Sequence, residues 1–234
     1  MKLNPLKLSQ ILTQKVGNLN WWPVDKRYHE KNSTDHRFEI IVGAILTQNT
    51  AWSNVEKALF NLKSQKMLNL ETLANEDTKK LTKMIRPSGF FNQKAIRLKN
   101  ISSYLKNKYN SNLDRFFIRD MNVIRKELLS LNGIGPETAD SILLYAGNKP
   151  IFVVDAYTKR LCERIPLDTN ISYNEIQKYF QEELSKRYQD EELIKAYNNL
   201  HAQIVILAKK HCKKKPICKN CPIFKHCNFK EKSF

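Results

Sequence analysis

Apolar residues recur at helical spacing along most of this chain. Phe38, Ile41, Val42 and Ile45 fall at i, i+3, i+4 and i+7, so one helix face carries all four. Val55, Ala58, Leu59 and Leu62 repeat the pattern, and Ser53 followed by Glu56 reads as a capping box that opens their helix. Ser172 and Glu175 read the same way ahead of Ile176, Tyr179 and Phe180. Leu193, Tyr197, Leu200 and Ile204 mark a long late helix. Val123–Ser130 and Glu137–Ala146 are amphipathic segments on either side of a glycine-containing turn. Only Ile151–Val154 looks strand-like, and four residues do not settle it. With 6 Gly and 8 Pro the loops are short, and no repeat or low-complexity linker interrupts the pattern. It predicts an all-α protein.

Composition narrows the picture. A hydrophobic fraction of 41% supports a real core, so disorder is not expected. Lys and Arg total 40 against 23 Asp and Glu, leaving +17, which points to a polyanionic partner or an anionic surface, or else to a lysine-rich solvated exterior. The N-terminus lacks the apolar run of a signal peptide, and no apolar stretch approaches the ~20 residues of a spanning helix. The expectation is a soluble, cytoplasmic monomer with no membrane partner. Cys162 stands alone and reads as a small buried residue, while the other four cysteines crowd the C-terminal end. In a reducing compartment such crowding suggests a metal and not disulfides.

Three motifs carry chemistry. Residues 131–139 read Leu-Asn-Gly-Ile-Gly-Pro-Glu-Thr-Ala. Gly133 and Gly135 let the backbone turn tightly, and Pro136 suits the first turn of the next helix, whose free amides bind an anion such as phosphate. Taken alone, the segment is also compatible with an ordinary helix corner. Val153-Val154-Asp155 follows, where Asp155 on its own reads as a helix N-cap. Cys212, Cys218, Cys221 and Cys227 have the spacing C-x5-C-x2-C-x5-C, which fits tetrahedral zinc or a [4Fe–4S] cluster. His211 and His226 adjoin them as further zinc donors or as surface imidazoles.

The order of these motifs, from about Ala44 to Cys227, resembles the endonuclease III superfamily of helix-hairpin-helix DNA glycosylases. Trp21-Trp22-Pro23, the run Leu46-Thr-Gln-Asn-Thr50 and the run Arg86-Pro-Ser-Gly-Phe-Phe-Asn-Gln-Lys94 are similar to its 3-methyladenine DNA glycosylase group. The resemblance implies two helical lobes: residues 34–146 ending in the hairpin, and 1–33 plus 147–234 with a cluster loop at 212–227. It implies that Asp155 is catalytic, and the chemistry explains why. Breaking a glycosidic bond builds positive charge on the sugar, which a carboxylate stabilises while it orients water. Members that nick DNA use a lysine two residues after the second hairpin glycine for a Schiff base; here that residue is Glu137, so water is the implied nucleophile.

By the same resemblance Trp21, Trp22, Trp52 and Glu137 line the pocket of a flipped base. Gln48 enters the vacated duplex, and Gly133 and Gly135 hold the backbone. Lys213, Lys214 and Lys215 fill the first cysteine gap, where a pinned loop would present them to phosphate. The C-terminal position implies [4Fe–4S], with zinc the alternative, although the first gap is five residues where six is usual. The best-known 3-methyladenine members lack this module. Asp140 is expected to line the site and His201 to be structural. The implied activity is hydrolytic removal of alkylated purines from double-stranded DNA in base excision repair, without strand cleavage. The alternatives are a mismatch or oxidised-base glycosylase of the same superfamily, or a DNA-binding protein without catalysis.

Overall fold

The computed structural model describes residues 3–19, 21–167 and 172–229. Their regular structure is all helical: α1 Pro5–Val16, α2 Lys26–Asn32, α3 His36–Leu46, α4 Trp52–Ser64, α5 Leu70–Asn75, α6 Thr78–Met84, α7 Phe91–Tyr109, α8 Leu113–Phe117, α9 Met121–Ser130, α10 Pro136–Ser141, α11 Ala156–Arg164, α12 Tyr173–Ser185 and α13 Asp190–Lys210. A π-helical turn, Ile142–Ala146, follows α10. The chain forms two compact units: Trp22–Asn148, and Met1–Trp21 with Lys149–Phe234.

In the unit Trp22–Asn148, every residue of α3 from Phe38 to Leu46 is buried. A helix enclosed on all sides belongs inside a fold, and α3 packs against α4, α7 and the π turn. Its one acid, Glu39, is bound by His29 Nε2 at 2.8 Å and Lys63 Nζ at 2.7 Å. Burial pushes the Glu39 carboxyl up, and these partners outweigh burial and hold it below its ordinary value.

Lys94 of α7 is fully buried among acceptors. Its Nζ donates to Leu46 O at 2.8 Å, Thr50 Oγ1 at 2.9 Å and Ser88 O at 2.7 Å. An ammonium has three N–H donors, and all three are used. Burial, and then the charge of Arg97, bring Lys94 down to about 8. This one side chain ties the end of α3, the Thr47–Thr50 turn and the Arg86–Ser88 turn together. That tie corrects the capping box expected at Ser53. α4 begins two residues earlier, at Trp52, after an Ala51 N-cap that has no side chain to accept a bond. The anchored turn sets where the chain enters α4, and local capping chemistry yields to it.

In the other unit α1 packs on α12 and α13, and α11 packs on α13. The Ser172–Glu175 box is present, with Ser172 as N-cap of α12 accepting from Glu175 N. Ile151–Val154 is buried and belongs to no strand. Its backbone is served by side chains instead. Phe152 N–H donates to Gln181 Oε1 at 2.9 Å, and Gln177 Nε2 donates to Phe152 O at 2.7 Å. The two glutamines stand one turn apart on α12. Between them the Phe152 ring stacks on Phe180, centroids 4.6 Å apart.

Replacing Gln181 by Leu should strand the buried Phe152 N–H and lower the free energy of unfolding by about 1–3 kcal/mol. Replacing Lys94 by Met strands the buried carbonyl of Leu46, takes one of two donors from Ser88 O, and should cost at least as much. Urea unfolding of both variants against wild type measures the losses, and a change below ~0.5 kcal/mol would contradict either assignment.

Candidate active site and cysteine loop

Asp155 is the N-cap of α11, delivered there by the clipped segment Ile151–Val154. Its Oδ1 accepts from Thr158 N at 2.7 Å and from Thr158 Oγ1 at 2.9 Å. Its Oδ2 faces His201 Nε2 of α13 at 3.6 Å. Both residues are buried, Asp155 8% exposed and His201 6%. Burial pushes the carboxyl up, and His201 followed by Thr158 outweighs it, so the group sits below its ordinary value. The arrangement therefore holds a charged carboxylate in a protein interior. This is what electrostatic stabilisation of a developing cation requires.

The hairpin lies in the unit Trp22–Asn148. α9 leads through Leu131–Gly135 into α10, with Pro136 in the first helical turn. Gly133 has φ +84°, a left-handed conformation that favours glycine, and a Cβ there would lie 2.2 Å from Arg97 Nε. Gly135 is the exposed, extended N-cap of α10. Glu137 is exposed in the first turn of α10. Gln48 is docked on this hairpin. Its Nε2 donates to Gly133 O at 3.0 Å and Thr138 Oγ1 at 2.9 Å, while Arg97 Nη1 donates to its Oε1 at 2.5 Å.

Two of the three tryptophans come together in the same unit. The rings of Trp22 and Trp52 meet edge to face, 5.3 Å between centroids, and Tyr145 of the π turn stands 5.2 Å from Trp22. Trp22 lies against Gly43 of α3, where a Cβ would be 3.0 Å from its Nε1. Trp22 and Trp52 are half-buried. Trp21, also half-buried, ends the N-terminal segment of the other unit.

The cysteine loop is held by α11. Arg160 Nε donates to Cys212 O at 2.8 Å. Arg164 donates to Lys213 O at 2.6 Å, Lys214 O at 3.1 Å and Cys212 Sγ at 3.3 Å. Lys213, Lys214 and Lys215 are exposed. Cys212, Cys218, Cys221 and Cys227 line one pocket with an apolar wall that includes Leu161, Ile165, Ile217 and Ile223. Burial raises Cys221, and the charges of the other three cysteines raise it further. Among the described residues, no three His, Cys, Asp or Glu side chains are grouped so as to hold a single metal ion. Cys162 lies apart as a buried thiol, pushed up to about 12 by burial and then by the charge of Glu163.

Asp140 departs from expectation. It is fully enclosed and takes a bidentate pair from Arg125, at 2.6 and 3.1 Å, so it serves the packing of α9 on α10 and does not line an open site. Sequence reasoning did not single out Tyr145, Gly43, Arg97 or Thr158, nor the approach of His201 to Asp155. Only Thr158 had a local signal, standing three residues after an N-cap aspartate. The others meet partners far away in the chain.

Residues 42–186 match the family of HhH-GPD superfamily base excision DNA repair proteins. A Methanocaldococcus jannaschii protein whose provisional name is DNA repair glycosylase is 45% identical over 94% of this chain and 94% of its own length. The 3-methyladenine DNA glycosylase of H. pylori, solved with 1,N6-ethenoadenine bound, is 30% identical, with a TM-score of 0.68 over 88% of this chain and 98% of its own. An endonuclease III solved in a non-covalent DNA complex shares the fold, with a TM-score of 0.71 over 97% of this chain and 96% of its own at 21% identity. No helix among the described residues is long and apolar enough to cross a membrane. This chain belongs to the HhH-GPD superfamily of base excision DNA repair proteins and is a DNA glycosylase.

Proposed function

We propose that this glycosylase removes N-alkylated purines of the 3-methyladenine type from double-stranded DNA, by hydrolysis and without cutting the strand. The observation that carries the reading is the aromatic cluster of Trp22, Trp52 and Tyr145. N3-alkylated adenine is a cation, and each ring face offers it about 0.5–2 kcal/mol of cation–π attraction. That attraction offsets part of the few kcal/mol needed to flip the base out of the duplex. The 30% identity to a glycosylase named for 3-methyladenine supports the same substrate class. Glu137, in the first turn of α10, belongs to the same unit as these rings and completes the proposed pocket.

In this reading Asp155 faces the sugar. As the bond from C1′ to the base nitrogen breaks, its electrons leave with the base. The carboxylate stabilises the positive charge left on the sugar, and water adds at C1′, giving up a proton to the carboxylate, to leave an abasic site. Glu137 bears on strand cleavage. A carboxylate supplies no amine for a Schiff base, so the position used by nicking relatives is silent here. The hairpin amides near Gly133 and Gly135 bind a phosphate, and Lys213, Lys214 and Lys215 add sequence-independent contacts to the backbone. Gln48 fills the space left by the base. To do so it must exchange its bonds to Gly133, Thr138 and Arg97 for bonds to DNA.

The four loop cysteines would hold a [4Fe–4S] cluster, with zinc as the alternative. They line one apolar pocket, and an Arg164 N–H reaches Cys212 Sγ. Such a cluster supplies cross-linking of the loop. Bound there, it would stiffen the lysine segment.

Purified protein incubated with methylated duplex DNA should release 3-methyladenine, with strands breaking only after later alkali. Borohydride should trap no covalent adduct. Release from oxidised or mismatched sites instead would overturn the substrate class, and a trapped adduct would overturn the water mechanism. Asp155→Asn should lower base release by ~100-fold or more while DNA binding persists. Anaerobically purified protein should contain iron and sulfide, and Cys218→Ser should lose both and melt earlier. Stoichiometric zinc without iron would replace the cluster assignment.

A further inference from the structure

We infer that His201 is a positioning residue for the reaction, holding Oδ2 of Asp155 while Thr158 holds Oδ1. The inference rests on the proposed catalytic role of Asp155. Capping α11 needs only Oδ1, which takes both Thr158 donors at 2.7 and 2.9 Å. The second oxygen is therefore spare for the helix, and it is the one that meets an imidazole at 3.6 Å. His201 is placed there by rigid surroundings. It lies mid-helix in α13, buried, with its ring edge-on to Phe152 at 6.5 Å, and Phe152 is itself clipped by Gln177 and Gln181.

The contact is longer than a good hydrogen bond. Catalytic contacts in the absence of substrate are often long and tighten when it binds. The division of labour has a physical reason. A carboxylate buried with one oxygen unsupported would take up a proton, and a protonated Asp155 cannot stabilise a cation. An imidazole donating Nε2–H removes that tendency and leaves the negative charge facing the sugar. It also stops the carboxylate from rotating about the Thr158 bonds.

Several groups surround the pair. Thr158 from α11 and His201 from α13 act most strongly on Asp155. From α12, the neutral amides of Gln177 and Gln181 stand beside Phe152. Removing His201 takes away a donor and leaves burial in place, so the Asp155 carboxyl must rise. Activity that needs the charged form is then lost at a higher pH than in wild type.

The test is single-turnover base release by His201→Ala and His201→Gln from pH 4 to 9, with Asp155→Asn in parallel. Hydrogen-bond partners that orient metal ligands are worth about 10- to 100-fold, and the same scale is expected for a partner that orients this carboxylate. His201→Ala should lose that much rate with DNA affinity unchanged, and its acid limb should move to higher pH. His201→Gln offers an amide N–H near the same place and should recover most of the rate. Carbon-detected NMR titration of Asp155 in both variants reads the same upward shift without any substrate, and it applies to whichever variant folds. If the acid limb and the NMR titration stay where they are in wild type, the inference is wrong, even if stability falls. If Asp155→Asn itself keeps wild-type base release, the fault lies with the catalytic reading of Asp155 and not with the contact to His201.

Discussion

Burying an extended stretch of backbone costs free energy unless each N–H and C=O finds a partner, and the approach to Asp155 is built around that constraint. A sheet would meet it with neighbouring strands. This all-helical unit meets it with two glutamines on one face of α12, which take the N–H and the C=O of Phe152. The consequence is positional. The chain leaves the clip at a defined point, enters α11 one residue after Asp155, and so places the carboxylate between its own helix and α13. Without the clip the four apolar residues would still be driven inward, but nothing would set the register at which Asp155 emerges.

α11 joins two features of its unit. Asp155 caps its start, and Arg160 and Arg164 near its end grip carbonyls of the cysteine loop. A nine-residue helix is about 14 Å long, short enough to be rigid. The cysteine loop and the Asp155 carboxylate therefore share one rod.

The unit Trp22–Asn148 is organised by a different economy, in which long polar side chains brace turns from inside. Lys94 spends all three donors on one turn and its neighbours, and Arg97 from the same helix holds Gln48 against the hairpin. Buried ammonium groups are costly unless hydrogen-bonded, and the acceptors around Lys94 are arranged to meet that cost. The turn carrying Gln48 and the turn carrying Gly133 are thereby referenced to a single helix, α7. Gly43 plays the reverse part, where the absence of a side chain lets Trp22 lie against α3.

Much of this was legible in the chain before any coordinates. Periodic apolar positions identified α3, α4, α12 and α13, because a helix records its buried face every three to four residues. The Ser172 cap, Pro136 in a first turn and Asp155 as N-cap were equally readable, since each depends on residues within one turn of itself. Local rules failed at Ser53, where a tertiary brace moved the helix start. They stopped short at Ile151–Val154, whose β-branched run names an extended chain but not what satisfies it. The meeting of His201 with Asp155, of Tyr145 with Trp22 and of Lys94 with Leu46 lay beyond the sequence. Each joins residues more than 40 positions apart, and such pairs are decided by how helices pack and not by the spacing of residues along them.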